Sequence, residues 1–175
     1  MPKLIANALL FQLGWLICVF TGDSFWLVIV AGILAVHFFW TSSWAAEGKL
    51  LISVFCAGSA LDSFLLNIGV FEFAEPRTLI PLWLALMWIL LGSTLNHCLA
   101  WTAQPWWRAS LLGAVGGPLS YYAGSQIADV QLPLGTMPTL LILAVIWAAV
   151  MPLLHAFAKL YRAQYEQSLR VRRSA

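Results

Sequence analysis

The stretch PLWLALMWILLGSTLNHCLAW, residues 81–101, is apolar over most of its length. It lies within a longer apolar run that extends from about residue 79 to residue 101. The hydrocarbon core of a bilayer is about 30 Å thick, and a helix crosses it in about 20 residues. This stretch therefore predicts a helix that spans a membrane.

The composition of the whole chain is that of a membrane protein. Of its 175 residues, 62% are hydrophobic and 9% are charged, and the mean hydropathy is +0.86. A soluble domain of this size could not bury so much apolar surface in one core. Cys18, Cys56 and Cys98 lie in apolar stretches without metal-ligand spacing, so they predict neither a disulfide framework nor a zinc site.

Six apolar runs of suitable length predict six spans. They lie at about residues 4–21, 25–42, 50–71, 79–101, 107–126 and 136–159, separated by short polar breaks such as TGDS (21–24) and AAEGK (45–49). Because the first break is tight and the first two runs are short, five spans with a bent hairpin are the alternative. The sequence predicts an all-α polytopic membrane bundle of about six helices over residues 1–160, followed by a basic tail at 161–175.

The basic residues orient these spans. Six spans place both termini on one side of the membrane, and eight of the nine Lys and Arg residues then share that side: Lys3, Lys49, Arg108, Lys159, Arg162, Arg170, Arg172 and Arg173. Arg77 alone lies opposite, together with the acidic Asp23, Glu72, Glu75 and Asp129. The positive-inside rule therefore predicts cytoplasmic termini and a tail that contacts anionic lipid. No other basic surface is indicated, so we predict no nucleic-acid partner.

Asp62 is a carboxylate inside the third predicted span, slightly past the midplane. Ionisable groups at that depth are functional candidates. Ser59, Asp62, Ser63 and Asn67 follow the spacing i, i+3, i+4 and i+8, so they form one polar stripe that faces other helices. We predict Asp62 as a catalytic acid or base and Asn67 as a ligand contact; the alternative is a carboxylate that only joins helices.

The sequence STLNH, residues 93–97, provides a second polar stripe near the cytoplasmic end of the fourth span. His97 is a candidate proton carrier, and Asn96 is a candidate ligand contact. His37 and His155 lie at similar depth, but each stands alone on an apolar face, which favours a structural role. With no acidic or cysteine ligand expected nearby, the sequence predicts no metal site and identifies no cofactor.

Two amides of the first span, Asn7 and Gln12, are expected to form hydrogen bonds between helices. Gln12 is near the midplane, where it could approach Asp62, so it is a candidate ligand-binding residue. Most tryptophans lie near span ends, where the amphipathic ring prefers the headgroup level. Trp15, Trp88 and Trp147 lie deeper.

GGPLSYYAG, residues 116–124, combines small residues with a proline in the fifth span. Gly113 and Gly117 form a G-x-x-x-G pattern that allows a neighbouring backbone to approach closely. Pro118 predicts a kink or a local break. Ser120 and Tyr121 then lie near the height of Asp62 and are candidate catalytic residues, with Tyr122 a candidate ligand contact. The alternative is a kinked helix that is merely close-packed.

Four motifs carry a resemblance to a known family: FQLGW (11–15), LDSFLLNIGVFEF (61–73), the stretch at 81–101 and GGPLSYYAG. Together they resemble a family of small bacterial inner-membrane proteins catalogued only as a domain of unknown function. The resemblance extends over nearly the whole chain and implies location in the inner membrane. It also implies a genomic association with cyclopropane-type fatty-acid synthases and flavin-dependent oxidoreductases, but it supplies no activity and no catalytic residues.

These observations give three hypotheses of function. The first is a membrane enzyme, or an accessory subunit of one, that modifies lipids around a polar intramembrane cavity; its partners would be membrane lipids and lipid-modifying proteins. The second is a subunit that transports or binds a small solute or a lipid, an idea that rests on architecture alone. The third is a structural or assembly factor in which all polar groups join helices. The sequence leaves open whether the chain is an enzyme.

Overall fold

A computed structural model describes residues 1–128 and 130–174. Asp129, predicted on the outer side, and Ala175 lie outside the described residues. The described part forms six α-helices: α1 (Pro2–Thr21), α2 (Leu27–Val36), α3 (Trp44–Asn67), α4 (Leu82–Gly92), α5 (Trp107–Ile127) and α6 (Thr136–Ser174). A π-helical turn, His37–Thr41, continues α2, and a 3₁₀ turn, Ala100–Thr102, precedes α5. Two short strands, β1 (Glu72–Phe73) and β2 (Val130–Gln131), complete the fold.

The helical class predicted from the sequence is confirmed. Three helices, α1, α3 and α6, are long and apolar enough to cross a membrane. The segment Leu27–Thr41 and helix α4 are apolar but shorter. Many large apolar side chains on the helices are exposed, among them Leu9, Phe20, Leu119 and Val145. Such a surface is stable in contact with lipid, which indicates a membrane protein.

Helix α3 begins earlier than the apolar run at 50–71 suggested, so the predicted break at 45–49 is wrong. The Ser43 hydroxyl accepts a hydrogen bond from the backbone N–H of Ala46 at 3.3 Å and caps the helix. Glu47 in the first turn is favourable because it lies near the positive end of the helix dipole. The charged residues of the predicted break, Glu47 and Lys49, therefore belong to α3 and not to a loop.

Helix α4 ends at Gly92, about halfway along the run at 79–101, so the continuous fourth helix predicted there is wrong. The side chains of Ser93 and Thr94 donate hydrogen bonds to the carbonyls of Leu90 and Leu91 at 2.7 and 2.6 Å, and such bonds compete with a helix. The Asn7 amide of α1 donates to Ser93 O at 3.1 Å and accepts from the Cys98 N–H at 3.3 Å. Some backbone N–H and C=O groups of the irregular segment after α4 thus form hydrogen bonds with a neighbouring side chain.

The close approach predicted from the glycines of α5 is confirmed. Helix α5 packs chiefly against α6. A side chain at Gly113 would overlap the backbone carbonyl of Trp147, and one at Gly117 would overlap the Trp147 ring. Pro118 is buried within α5, and the helix continues through it, so the predicted local break does not occur.

The connections gather at opposite ends of the bundle. At one end, β1 pairs with β2, and Asp23, between α1 and α2, accepts a hydrogen bond from Trp83 N at 2.9 Å and lies 4.0 Å from Arg77. At the other end, Lys3 donates to the carbonyl of Trp40 at 2.8 Å, and the start of α3 contacts the turn that ends α2. The first, third and fifth connections therefore lie together.

Candidate functional site

A cavity of about 430 Å³ lies among α1, α4, α5 and α6, with Asp62 of α3 in its wall. Most of its lining is apolar or aromatic, including Phe11, Trp15, Met87, Leu112, Trp147 and Met151. Gln12 of α1 and Gly116 and Leu119 of α5 also line it, and all three are exposed. The cavity therefore opens to the outside between α1 and α5, near the middle of both helices.

The carboxylate of Asp62 is held by two donors from other helices. Its side chain is buried, with the residue 1% exposed. Oδ2 accepts a hydrogen bond from Trp88 Nε1 at 2.8 Å, and Oδ1 accepts one from the Tyr121 hydroxyl. Tyr121, which was predicted to lie near the height of Asp62, contacts it in the structure, whereas the role of Trp88 was not predicted.

Two stacked tryptophans, Trp88 and Trp147, line the cavity beside Asp62. The rings of Trp88 and Trp147 are stacked with centroids 5.1 Å apart and planes inclined by 6°. Gly58 makes room for this pair, because a Cβ atom there would overlap the Trp88 ring. The two deep tryptophans were a signal in the sequence, but their stacking depends on glycines of α3 and α5.

The other residues predicted near Asp62 lie at different distances from it. Ser120 lines the cavity and accepts a hydrogen bond from Trp15 Nε1 at 3.0 Å. Within the part of the chain that the structure describes, neither Ser120 nor Gln12 forms a hydrogen bond with Asp62. Tyr122 is 40% exposed and lies away from the cavity lining.

Asn67 serves the connection after α3 instead of the cavity. Its side-chain amide donates to Ser63 O at 2.6 Å and to Thr78 O at 2.7 Å. The Ser63 hydroxyl accepts from Ile80 N at 3.3 Å. The outer part of the predicted stripe thus attaches the segment before α4 to α3, so its position does not support the prediction of a ligand contact at Asn67.

A second polar cluster lies at the opposite end of α3. Glu47 Oε2 contacts His37 Nε2 at 2.8 Å, and Glu47 Oε1 contacts His97 Nε2 at 2.9 Å. Asn96 donates from its amide to Glu47 Oε1 at 3.1 Å. The expectation that His37 stands alone is therefore wrong, and so is the expectation that no acidic residue lies near a histidine.

Sequence reasoning missed Glu47 because AAEGK looked like a polar break. The signal was present in the helix cap, since Ser43 lies four residues before Glu47 and places it on the first turn of α3.

His155 lies apart from this cluster. Its Nε2 is 2.7 Å from the Thr102 hydroxyl, which itself donates to Leu99 O at 2.8 Å. His155 must therefore donate to that hydroxyl.

The two clusters have separate partners. Asp62 is bonded by Trp88 and Tyr121, and His97 by Glu47. The structure thus gives no acid–base pair of Asp62 with His97. It provides a proton-bearing pair, Tyr121 and Asp62, beside an apolar cavity, and a His–Glu–His cluster at the end of the bundle.

The fold and these clusters define a helical membrane protein with buried polar sites. The model of a family described as "Protein of unknown function (DUF2878)" matches residues 4–153, and the chain belongs to that family. In the comparisons with curated proteins and with solved structures, nothing matches the chain.

Proposed function

We propose that this chain is an inner-membrane protein whose cavity holds an acyl chain of a membrane lipid, and that it acts as an enzyme or accessory subunit in lipid modification. The observation that carries the proposal is the cavity itself. It has an apolar lining, a buried carboxylate in its wall and an opening halfway along α1 and α5. Its volume of about 430 Å³ is typical of sites for small molecules or parts of larger ones.

The depth of the opening favours an acyl chain over a headgroup. Gln12 and Gly116, which line it, are near the middle of α1 and α5. If these helices cross the bilayer, their middle lies about 15 Å from the headgroup region on either side. The molecules available at that depth are hydrocarbon chains, and they can enter sideways without passing through water.

The contacts between connections support a six-span arrangement. Six spans put the first, third and fifth connections on one side, and Asp23, Arg77 and the β1–β2 pair do lie together. The termini and the second and fourth connections then share the other side, and the contact of Glu47 with His97 supports the placement of these two connections together. The concentration of basic residues on the latter side supports cytoplasmic termini.

Asp62 and Tyr121 would act on the bound chain as a proton-bearing pair. The tyrosine hydroxyl donates to the carboxylate, so the two groups form one hydrogen-bonded unit beside the cavity, in which Asp62 is the group that can gain or lose a proton. General acid–base catalysis needs such a group within reach of the reacting atom. Membrane lipids are then the substrate class, and a lipid-modifying protein is the expected partner.

Lipid retention tests the binding part of the proposal. Gly116→Leu should fill the cavity without a clash at Cβ, because no atom lies within 4 Å of a Cβ placed there. Gly32→Leu is the matched control, since Gly32 of α2 is equally open and does not line the cavity. Native mass spectrometry of the purified chain should show a bound lipid in wild type and in Gly32→Leu, but not in Gly116→Leu. Equal retention in all three would refute a lipid site in this cavity.

The lipid profile of cells tests the chemical part. In a deletion strain, expression of wild type should change the acyl-chain composition, and Asp62→Asn should abolish that change while the variant still accumulates in the membrane. Retained lipid together with an unchanged profile in wild type and variant would support binding and reject chemistry. Loss of both folding and accumulation in Asp62→Asn would favour a structural role, and Tyr121→Phe then provides a milder second variant.

A further inference from the structure

The His–Glu–His cluster is assembled from three separate parts of the chain. His37 is on the π-helical turn that ends α2, Glu47 is on the first turns of α3, and His97 is on the turns after α4. Ordinary helical geometry at the end of α2 and a continuous α4 would both change these positions. The irregular backbone at two of the three sites thus accompanies the cluster.

The three side chains differ in how far they are shielded. The side chains of His37 and Glu47 are 3% and 6% exposed, whereas that of His97 is 17% exposed. Nδ1 of His37 is buried and, among the described residues, has no hydrogen-bond partner. The orientation of this ring is therefore set by what its Nε2 contacts. Because His97 is partly exposed, a small ion can reach the cluster from outside at this residue.

The distances suit a shared ion. The three ligand atoms, one from each residue, all lie within 4.8 Å of one another. Zinc binds histidine nitrogen and carboxylate oxygen at about 2.0–2.2 Å in tetrahedral geometry, so neighbouring ligand atoms around one ion lie about 3.4 Å apart. The two Glu47 oxygens are 2.8 and 2.9 Å from the two imidazole nitrogens, so side-chain shifts of about 0.5 Å would open the spacing that an ion needs.

We infer that His37, Glu47 and His97 bind a divalent first-row transition-metal ion at this end of the bundle. Two imidazoles and one carboxylate form a donor set used for Zn²⁺ and for Fe²⁺, with further positions open to water or substrate. Asn96 donates to Glu47 Oε1, and such a bond orients a ligating carboxylate. The inference is independent of the lipid cavity, whose lining contains none of these residues.

Without an ion the same groups form a hydrogen-bonded triad. An ionised carboxylate only accepts hydrogen bonds, so both imidazoles would carry their hydrogen on Nε2. On binding of an ion, Nε2 of each ring becomes a ligand, and the hydrogen moves to Nδ1. The two states thus make opposite predictions for the tautomer of both histidines.

A titration with Co²⁺ separates the two readings. The full chain, purified in detergent and stripped with a chelator, should bind one Co²⁺ per chain with visible d–d absorption, and Zn²⁺ should displace it. Glu47→Gln and His97→Ala should each weaken binding by about 100-fold or more, and Asn96→Ala by about 10-fold, since it removes only an orienting bond. His155→Ala is the matched control and should bind as wild type does, because His155 contacts Thr102 instead.

Helix content and the unfolding midpoint of each variant are measured in parallel, so that loss of binding is read only from folded protein. If Glu47→Gln does not fold, the more exposed His97→Ala provides the test. Absence of stoichiometric Co²⁺ binding by folded wild type would overturn the inference, and so would binding that is unchanged in folded Glu47→Gln or His97→Ala. Lipid retention is not the readout, so this inference and the proposed function can fail separately.

Discussion

Asp62 and Glu47 are both buried carboxylates, and they are stabilised by different kinds of neighbour. Asp62 accepts hydrogen bonds from Trp88 and Tyr121, side chains that supply no positive charge. Glu47 contacts two imidazoles and an amide. Imidazoles can carry a positive charge or bind a metal ion, whereas an indole N–H can only donate a hydrogen bond.

The difference underlies the two proposals made for these sites. The Asp62 site has an apolar cavity beside a carboxylate whose hydrogen bonds are already made, which suits an apolar molecule and a proton transfer. The Glu47 site brings together two imidazoles and a carboxylate, which are side chains of the kinds that coordinate metal ions, and this suits a cation. Burial of a carboxylate alone would not have distinguished these roles, because buried charges of both kinds require partners.

The largest expected effect concerns the tryptophan pair beside Asp62. Gly58→Ala places a methyl group inside the Trp88 ring, and relief of such an overlap costs about 3 kcal/mol in a packed interior. Gly116→Ala is the control and should change stability by no more than about 1 kcal/mol, because its Cβ meets no atom and alanine favours a helix. Unfolding in detergent measures both. Equal stability of the two variants would show that the stacked rings are not rigid.

The second prediction distinguishes the clusters by their response to an ion. Zn²⁺ at about 100 times its dissociation constant should raise the free energy of unfolding by about 2.7 kcal/mol in wild type. The same increase is expected in Asp62→Asn, whereas His97→Ala should show almost none. Unfolding curves with and without Zn²⁺ measure the effect. A response lost in Asp62→Asn and kept in His97→Ala would reverse the roles assigned to the two carboxylates.

A smaller effect is expected when one hydrogen bond is removed from each carboxylate. Tyr121→Phe leaves Asp62 with Trp88 as its remaining donor and should cost about 2 kcal/mol, typical of a hydrogen bond to a charged group. Asn96→Ala leaves Glu47 with both imidazoles and should cost about 1 kcal/mol. The unfolding midpoints of the two variants test this order. A greater loss of stability in Asn96→Ala than in Tyr121→Phe would mean that the Asn96 amide stabilises Glu47 more than the two histidines do.

Much of the helical architecture could be predicted from the sequence, because spans are set by local composition. The boundaries of α1 and α5 agree with the apolar runs at 4–21 and 107–126 to within two residues. The predictions failed where a side chain bonds to the backbone. The Ser43 cap starts α3 earlier than predicted. Directly after the early end of α4, the side chains of Ser93 and Thr94 bond to backbone carbonyls.

The candidate sites were predictable only in part. Helical spacing identified Asp62, Tyr121 and His97 as candidates, and the similar depth of Asp62 and Tyr121 allowed a contact between them that the structure contains. Nothing local to Glu47 or His37 indicated that they meet, because their contact depends on the turn between α2 and α3. Trp88 was likewise noted for its depth and not for its bond to Asp62.

The sequence by itself determined that the chain is helical and apolar enough to lie in a membrane, and that a few polar groups must find partners there. These properties follow from composition and from the 3.6-residue period, which act within each helix. Only the tertiary structure decided which partners those groups have. The packing of α3 against α4 gives Asp62 one donor, Trp88, and the Tyr121 side chain of α5 gives it the other. The irregular ends of α2 and α4 bring His37 and His97 to Glu47.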